Sequence, residues 1–168
     1  MKLDVFTDDA RFEDYLKISS MSLRENIDAD IEDVTIPDWF RLELIEAFKY
    51  TKTLSNDFHF TRGLWVLYAL YDDMGAMAGT VVFAEDRHMS GSIQADYIAI
   101  RKDYRGKGLG KVLLDLSEKV IKEHSSADQI LLSTVATKSF YEKMGMEIIG
   151  EIRNDAAKHV RYFFRRKV

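Results

Sequence analysis

The chain has 168 residues, of which 46% are hydrophobic and 12% aromatic, which suffices for the core of one domain. It contains no cysteine, which excludes disulfides, thiolate catalysis and thiolate metal sites. The net charge of −4 argues against broad nucleic-acid binding, although the C-terminus is locally basic at Arg161, Arg165, Arg166 and Lys167. We interpret these four residues mainly as the exposed face of a last strand.

No apolar run approaches the eighteen residues of a membrane-spanning helix, and the N-terminus has no apolar stretch of signal-peptide length. We therefore expect one cytoplasmic domain, residues 1–168, with no membrane or nucleic-acid partner. Its assembly, for which a homodimer is one option, stays open at this point.

The first half of the chain predicts a strand, two helices and a hairpin. Residues 1–6 alternate weakly as a strand, and Thr7 or Asp8 caps a helix that runs to about residue 23. An acidic connection, residues 26–33, is either a solvated loop or a surface that attracts a cation. Residues 64–71 and 76–84 are predicted strands, because residues 72–75 between them contain hairpin turn residues.

The second predicted helix begins near Pro37, which suits the first turn because its missing N–H costs nothing there. Large apolar side chains follow in this helix: Trp39, Phe40, Leu42, Leu44, Ile45 and Phe48. Core packing is the simpler use of this set, and the lining of a pocket is the alternative.

The middle of the chain predicts a buried strand, a glycine loop and a helix. Residues 93–100 are aliphatic and aromatic enough for the strand, and Arg105-Gly106-Lys107-Gly108-Leu109-Gly110 precedes a helix over residues 111–122. Helical spacing predicts that its buried side carries Val112, Leu113, Leu116, Val120 and Ile121. Three glycines in alternate positions let backbone N–H groups converge at the start of a helix, which favours a phosphate or pyrophosphate.

Two familiar phosphate loops do not fit this segment. A P-loop needs glycine where Arg105 stands and serine or threonine where Val112 stands. A dinucleotide fingerprint counted from Gly106 and Gly108 needs a third glycine where Lys111 stands. A glycine-rich turn without a ligand remains as the alternative to an anion site.

The last third of the chain predicts a strand at residues 129–135, a helix at 138–144 closed by Gly145, and strands at 146–152 and 160–166. The element order is β-α-α-β-β-β-α-β-α-β-β. Hairpins give antiparallel neighbours and the helix at residues 111–122 gives a parallel pair, so we expect an α/β (α+β) domain whose central mixed sheet is flanked by helices.

Two segments resemble the GCN5-related N-acetyltransferase (GNAT) superfamily. Arg-x-x-Gly-x-Gly after a strand that ends Ile98-Ala99-Ile100 is similar to the family's acetyl-CoA pyrophosphate loop, and Phe140-Tyr141 through Gly145 to Met146 resembles its Phe-Tyr-x-x-x-Gly-Phe segment. Three positions depart from the family pattern, which often has Asn, Ala and an aromatic residue where this chain has Thr134, Thr137 and Met146.

The resemblance implies an acetyl-CoA-dependent N-acetyltransferase that moves an acetyl group to a primary amine of a small molecule or protein. A CoA-binding sensor or interaction module without catalysis is the alternative. The resemblance also implies that the backbones of Ile98 and Ile100 hold the pantetheine arm like an added strand, with the Ile98 N–H at the thioester oxygen. The implied cofactor-binding residues are Ile98, Ala99, Ile100, Arg105, Gly106, Lys107, Gly108, Leu109, Gly110, Lys111, Thr134 and Phe140.

Two residues are candidates for the chemistry. Tyr141 matches the family tyrosine near the cofactor sulfur and is the candidate general acid, unless it only packs there. Asp96 is the candidate base, because regular alternation puts it and Gln94 on one strand face with Ile98 and Ile100; an exposed or ion-paired aspartate is the alternative. The four histidines have no paired spacing, so we expect no metal site.

Overall fold

The computed structural model describes residues 1–168 and contains one seven-stranded sheet and four α-helices. The strands are β1 (Lys2–Val5), β2 (Val66–Tyr71), β3 (Met77–Glu85), β4 (Ser92–Ile100), β5 (Gln129–Thr134), β6 (Glu147–Asn154) and β7 (His159–Lys167). The helices are α1 (Phe12–Ser20), α2 (Asp38–Thr51), α3 (Leu109–His124) and α4 (Lys138–Lys143). None of the helices is long and apolar enough to cross a membrane.

The strands lie in the order β1-β2-β3-β4-β5-β7-β6. All neighbours are antiparallel except β4 and β5, which are parallel because α3 returns the chain between them. The predicted element order and the mixed sheet flanked by helices are confirmed.

Alternate residues of the strands feed two hydrophobic cores, one on each face of the sheet. Helices α3 and α4 cover the face that carries Tyr68 and Phe83. Helices α1 and α2 cover the other face, on which Leu67, Ala69 and Val82 lie. A cavity that opens through the sheet can therefore be reached by groups from both layers.

Two details of the helices differ from the prediction. Asp8 caps a 3-10 turn, Asp9–Arg11, and α1 begins only at Phe12 and ends at Ser20. The fully buried residues of α3 are Leu113, Leu114, Ser117, Ile121 and His124, whereas Leu116 and Val120 pack against the core while partly buried and Val112 is only partly buried. Two polar side chains occupy this stripe because each has a hydrogen-bonding partner: Ser117 Oγ donates to the Leu113 carbonyl, and His124 Nδ1 lies 2.9 Å from the Phe58 carbonyl oxygen.

The middle of the sheet is split at one end. β4 and β5 pair only over Ser92–Gln94 against residues 129–131, although both strands continue beyond that point. From Ala95 onwards, the side of β4 that faces β5 has no strand partner. The gap between the diverging strands is the floor of the candidate site.

A β-bulge interrupts β4 beside this gap. Asp96 stands opposite Val82 and Ala99 opposite Thr80, so Tyr97 and Ile98 together face the single residue Val81. Tyr97 has a φ of 50°, in the left-handed region that residues with a Cβ seldom adopt. Beyond the bulge the faces are exchanged, because one extra residue turns every later side chain to the other side of the sheet.

Candidate active site

A cavity of about 1020 Å³ lies where β4 and β5 diverge. Its wall is formed by the second half of β4, the loop that precedes α3, the end of β5 and helix α4. Residues 21–25, Trp39 of α2, and His159 and Arg161 of β7 complete the side farther from α3. All predicted site residues except Lys107 line this one cavity.

The glycine loop presents a row of free donors to the cavity. The backbone N–H groups of residues 106–110 donate to no other group of the protein. Gly106 and Gly108 both have a φ of 75°, and the first turn of α3 carries no acidic side chain. The unpaired amides and the positive end of the helix dipole therefore suit an anion, and the residues present fit the pyrophosphate of a CoA molecule.

Gly110 serves a different purpose from the other two glycines. A Cβ atom at this position would lie 2.4 Å from Cζ of Phe140, which is closer than carbon atoms can approach. The absence of a side chain therefore allows α4 to pack directly against the start of α3.

The basic side chains of this loop do not point at the anion site. Arg105 Nε donates to the Ile100 carbonyl over 2.8 Å and its Nη1 donates to the Ile27 carbonyl, so this side chain braces the loop against β4 and the α1–α2 connection. Lys107 donates to the Asp103 carbonyl over 3.1 Å and lies over the Tyr104 ring, 5.2 Å from its centre. These contacts hold the Lys107 ammonium group on the surface, outside the cavity, so a part for this residue in cofactor binding would fall to its backbone N–H and stays a prediction.

The unpaired edge of β4 carries the donors and acceptors that a strand-like ligand requires. The Arg101 N–H donates to the Ala78 carbonyl of the β3 side over 2.9 Å. Because successive backbone groups of a strand point to opposite sides, Ala99 also faces β3, while Ile98 and Ile100 face the gap. Ile98 has no paired residue in β3, so its N–H faces the gap, and the Ile100 carbonyl accepts from Arg105.

Tyr141 lies on the α3–α4 side of the cavity with only 6% of its surface exposed. Its ring packs against Phe140 and Phe164, with centroid distances of 5.0 and 5.5 Å. Burial raises the pKa of the Tyr141 phenol, the Thr137 side chain opposes this effect, and the Asp96 charge adds to it. The phenol therefore keeps its proton at neutral pH.

Asp96 lies on the opposite, α1–α2 side, because it stands across from Val82 in the sheet. Burial raises the pKa of its carboxyl to about 6; the Glu43 charge adds to this rise, while the Gln94 hydrogen bond and the Arg161 charge oppose it. Gln94 Nε2 donates to Asp96 Oδ2 over 2.9 Å. The prediction that Asp96 shares a face with Ile98 and Ile100 is wrong, because the bulge at Tyr97 separates them.

Several cavity residues were not predicted. His159 and Arg161 come from a strand far along the chain, and no local sequence signal marks them. Trp39 is 55% exposed although its helix is strongly apolar, which fits the pocket alternative for this residue. Thr134 lines the cavity as expected, but its hydroxyl also accepts from the Ala136 and Thr137 N–H groups before α4. No group of three or more histidine, aspartate or glutamate side chains is arranged to hold a metal ion.

Solved structures of acetyltransferases share this fold. A protein from Desulfovibrio desulfuricans assigned to the GNAT family matches over 99% of this chain and 98% of its own, with a TM-score of 0.70 and 14% identity. An aminoglycoside 6′-N-acetyltransferase complexed with coenzyme A matches over 99% of this chain and 97% of its own, with a TM-score of 0.67 and 13% identity. A spermidine/spermine N-acetyltransferase from Vibrio cholerae matches over 99% of this chain and 91% of its own, with a TM-score of 0.64 and 13% identity. At these identities the likeness shows the fold.

The sequence itself matches a family model. No curated protein matches the chain, but residues 29–146 match the acetyltransferase (GNAT) family, which is more than half of its length. This range includes the glycine loop, β4, β5 and α4, the segments that form most of the cavity. The chain therefore belongs to the acetyltransferase (GNAT) family, whose enzymes use acetyl-CoA as co-substrate.

Proposed function

We propose that this enzyme transfers the acetyl group of acetyl-CoA directly to a primary amine of a small molecule or protein. The observation that carries the proposal is the gap between β4 and β5, into which an anion site, a free strand edge, a buried phenol and a carboxylate all open. Direct transfer requires these functions together: placement of the thioester, stabilisation of an oxyanion, a base and an acid.

In this proposal the amides of residues 106–110 bind the pyrophosphate, and the pantetheine arm lies along the open edge of β4. The Ile98 N–H then donates to the thioester oxygen. When the amine attacks, negative charge develops on that oxygen, and a donor already held in place stabilises the charge without having to reorient.

Asp96 takes the proton of the amine, directly or through one water. A carboxyl with a pKa of about 6 is about nine-tenths ionised at pH 7. An ordinary alkylamine with a pKa near 10.4 is only about one part in a thousand neutral at that pH, so nearly every acceptor has to give up a proton before its nitrogen can attack.

Tyr141 then donates its proton to the departing thiolate, and the proton that the attacking nitrogen still has to lose restores the phenol through water, so the amide and the thiol both leave neutral. Its raised pKa weakens it as an acid but ensures that the proton is present when the thiolate leaves. Asp96 and Tyr141 approach from opposite layers of the sheet, which suits groups that act on the amine and on the sulfur, at the two ends of the transfer.

The test is release of free CoA from acetyl-CoA in the presence of a panel of alkylamines, polyamines, aminoglycosides and peptides. We expect release that depends on the amine and that is lost in Gly108→Glu, because the carboxylate would enter the pyrophosphate site. Binding of acetyl-CoA with no release across the panel would instead favour the CoA-binding sensor. It stays a prediction that the acceptor is a primary amine and that the protein is cytoplasmic, and a homodimer stays one option for its assembly.

A further inference from the structure

The strained residue of β4 is a tyrosine in a position that suits glycine. Only Tyr97 and Lys158 combine a side chain with a positive φ, and Lys158 lies in the turn between β6 and β7. Tyr97 lies inside a central strand, one residue before Ile98. An unfavourable backbone conformation persists only where surrounding contacts enforce it, and such residues cluster at functional sites.

Two contacts from α2 enforce the conformation. The Tyr97 hydroxyl donates to Glu43 Oε2 over 2.8 Å, and the Tyr97 ring meets the Phe40 ring edge-on, with centroids 4.8 Å apart. Helix α2 is itself fixed to the sheet, because Leu44 is fully buried and Thr51 Oγ1 accepts from the Leu67 N–H. The bulge is therefore held from a rigid element on the face opposite α3.

The bulge decides where the Ile98 N–H points. In a regular strand Ile98 would stand opposite Thr80, the place that Ala99 occupies in the structure. That place exchanges hydrogen bonds with β3, since it lies two residues from the Arg101 N–H that donates to the Ala78 carbonyl. Without the bulge, the Ile98 N–H would pair with β3, and the N–H groups facing the gap would be those of Tyr97 and Ala99, on either side of the Ile98 position.

We propose that Glu43 and Tyr97 are positioning residues: their hydrogen bond holds the β4 bulge and thereby aims the Ile98 N–H at the thioester oxygen. The inference rests on the proposed function, because it assumes acetyl-CoA in the gap beside β4. It assigns a task to α2, an element outside the segments that resemble the acetyl-CoA site.

Glu43 also acts electrostatically, and the test must separate that effect. The groups that face Asp96 are Glu43 of α2, Arg161 of β7, Tyr141 of α4, and its β4 neighbours Gln94 and Tyr97. Glu43→Gln keeps an oxygen that accepts from Tyr97 but removes the charge. Glu43→Ala removes both. If Glu43 positions the bulge, Glu43→Gln should keep the bulge in place and Glu43→Ala should not. If Glu43 acts only through its charge, the two substitutions should have the same effect.

The probes are acetyl-CoA and CoA, which differ only at the thioester. Calorimetric titration gives the affinity of each for the wild type, Glu43→Gln, Glu43→Ala and Tyr97→Phe. Glu46→Gln is the matched control, because Glu46 lies on the same helix but is exposed and pairs with Lys49. We expect glutamine and the control to keep the wild-type preference for acetyl-CoA over CoA. Glu43→Ala and Tyr97→Phe should lower the preference for acetyl-CoA over CoA about three- to tenfold, the range expected for one lost hydrogen bond.

A second measurement covers variants that bind weakly. In the free protein, hydrogen exchange at the Ile98 amide should slow in Glu43→Ala, because the N–H would turn towards β3 and pair there. An unchanged acetyl-CoA preference and unchanged Ile98 exchange in both Glu43→Ala and Tyr97→Phe would overturn the positioning role while leaving the acetyltransferase proposal intact. A wild type that binds neither probe would overturn both.

Discussion

Replacing Asp96 by asparagine should remove the base and, at neutral pH, stabilise the fold. The folded carboxyl has a pKa of about 6 against an ordinary value of 3.8, mainly because of burial. The folded state therefore binds a proton more tightly than the unfolded state between these values. The contribution of Asp96 to stability is fully present below about pH 4 and is lost as the pH rises through 6.

Asparagine stays neutral throughout this range and can accept the same hydrogen bond from Gln94. A difference of about two pH units, at about 1.4 kcal/mol each, sets a limit of about 3 kcal/mol. Because Asp96 is half-buried rather than fully enclosed, we expect about 2 kcal/mol. In a chain of this size that raises Tm by about 4–8 °C at pH 8.

The assay is thermal unfolding of the wild type and Asp96→Asn at pH 4.5 and pH 8, with Asp28→Asn as an exposed control from the acidic connection. The free energy of unfolding of Asp96→Asn should exceed that of the wild type by an amount that grows with pH. For Asp28→Asn the difference from the wild type should stay constant within about 0.5 kcal/mol. Turnover of an amine identified by the screen should fall about 10²–10⁴-fold. A stability difference that is the same at both pH values would refute the environment derived for Asp96.

Three further substitutions test the rest of the site. Tyr141→Phe keeps the ring packing but deletes the proton donor, so kcat should fall about 10²–10⁴-fold with acetyl-CoA affinity nearly unchanged; near-normal kcat with rate-limiting chemistry would remove Tyr141 from the mechanism. Acetyl-CoA at a hundredfold excess over Kd should stabilise the wild type by about 2.7 kcal/mol, and Gly108→Glu should abolish the resulting increase in Tm. Gly108→Asn should keep most of this increase, because asparagine tolerates a positive φ. Gly110→Ala should destabilise the fold by about 1–3 kcal/mol, measured by chemical denaturation, because its Cβ would overlap the Phe140 ring; unchanged stability would mean that α4 can move away freely.

The elements that could be predicted are those whose cause is local. Pro37 marks the start of α2, and the turn that contains Gly75 joins two strands, because the backbone preferences of these residues act within a few positions. The anion site could be located for the same reason, since its glycines and the helix that follows them are contiguous in the chain.

The features that could not be predicted depend on distant partners. The bulge at Tyr97 exists because β3 and α2 meet β4 there, so periodicity alone placed Asp96 and Ile98 on one face. Trp39 is exposed while Phe40 is buried because only one side of α2 meets the sheet. Such features follow from how the layers assemble, and they determine which groups converge on the cavity.

The short pairing between β4 and β5 also bears on what holds the sheet together. Within the sheet, only three residue pairs join β1–β4 to the group formed by β5, β7 and β6. With so few shared hydrogen bonds, the two groups of strands are held together mainly by the hydrophobic core that they share, which includes Tyr68, Phe83, Ile130 and Phe164. A pantetheine arm in the gap would add an eighth strand there, so ligand binding would reinforce the sheet where it has the fewest hydrogen bonds of its own.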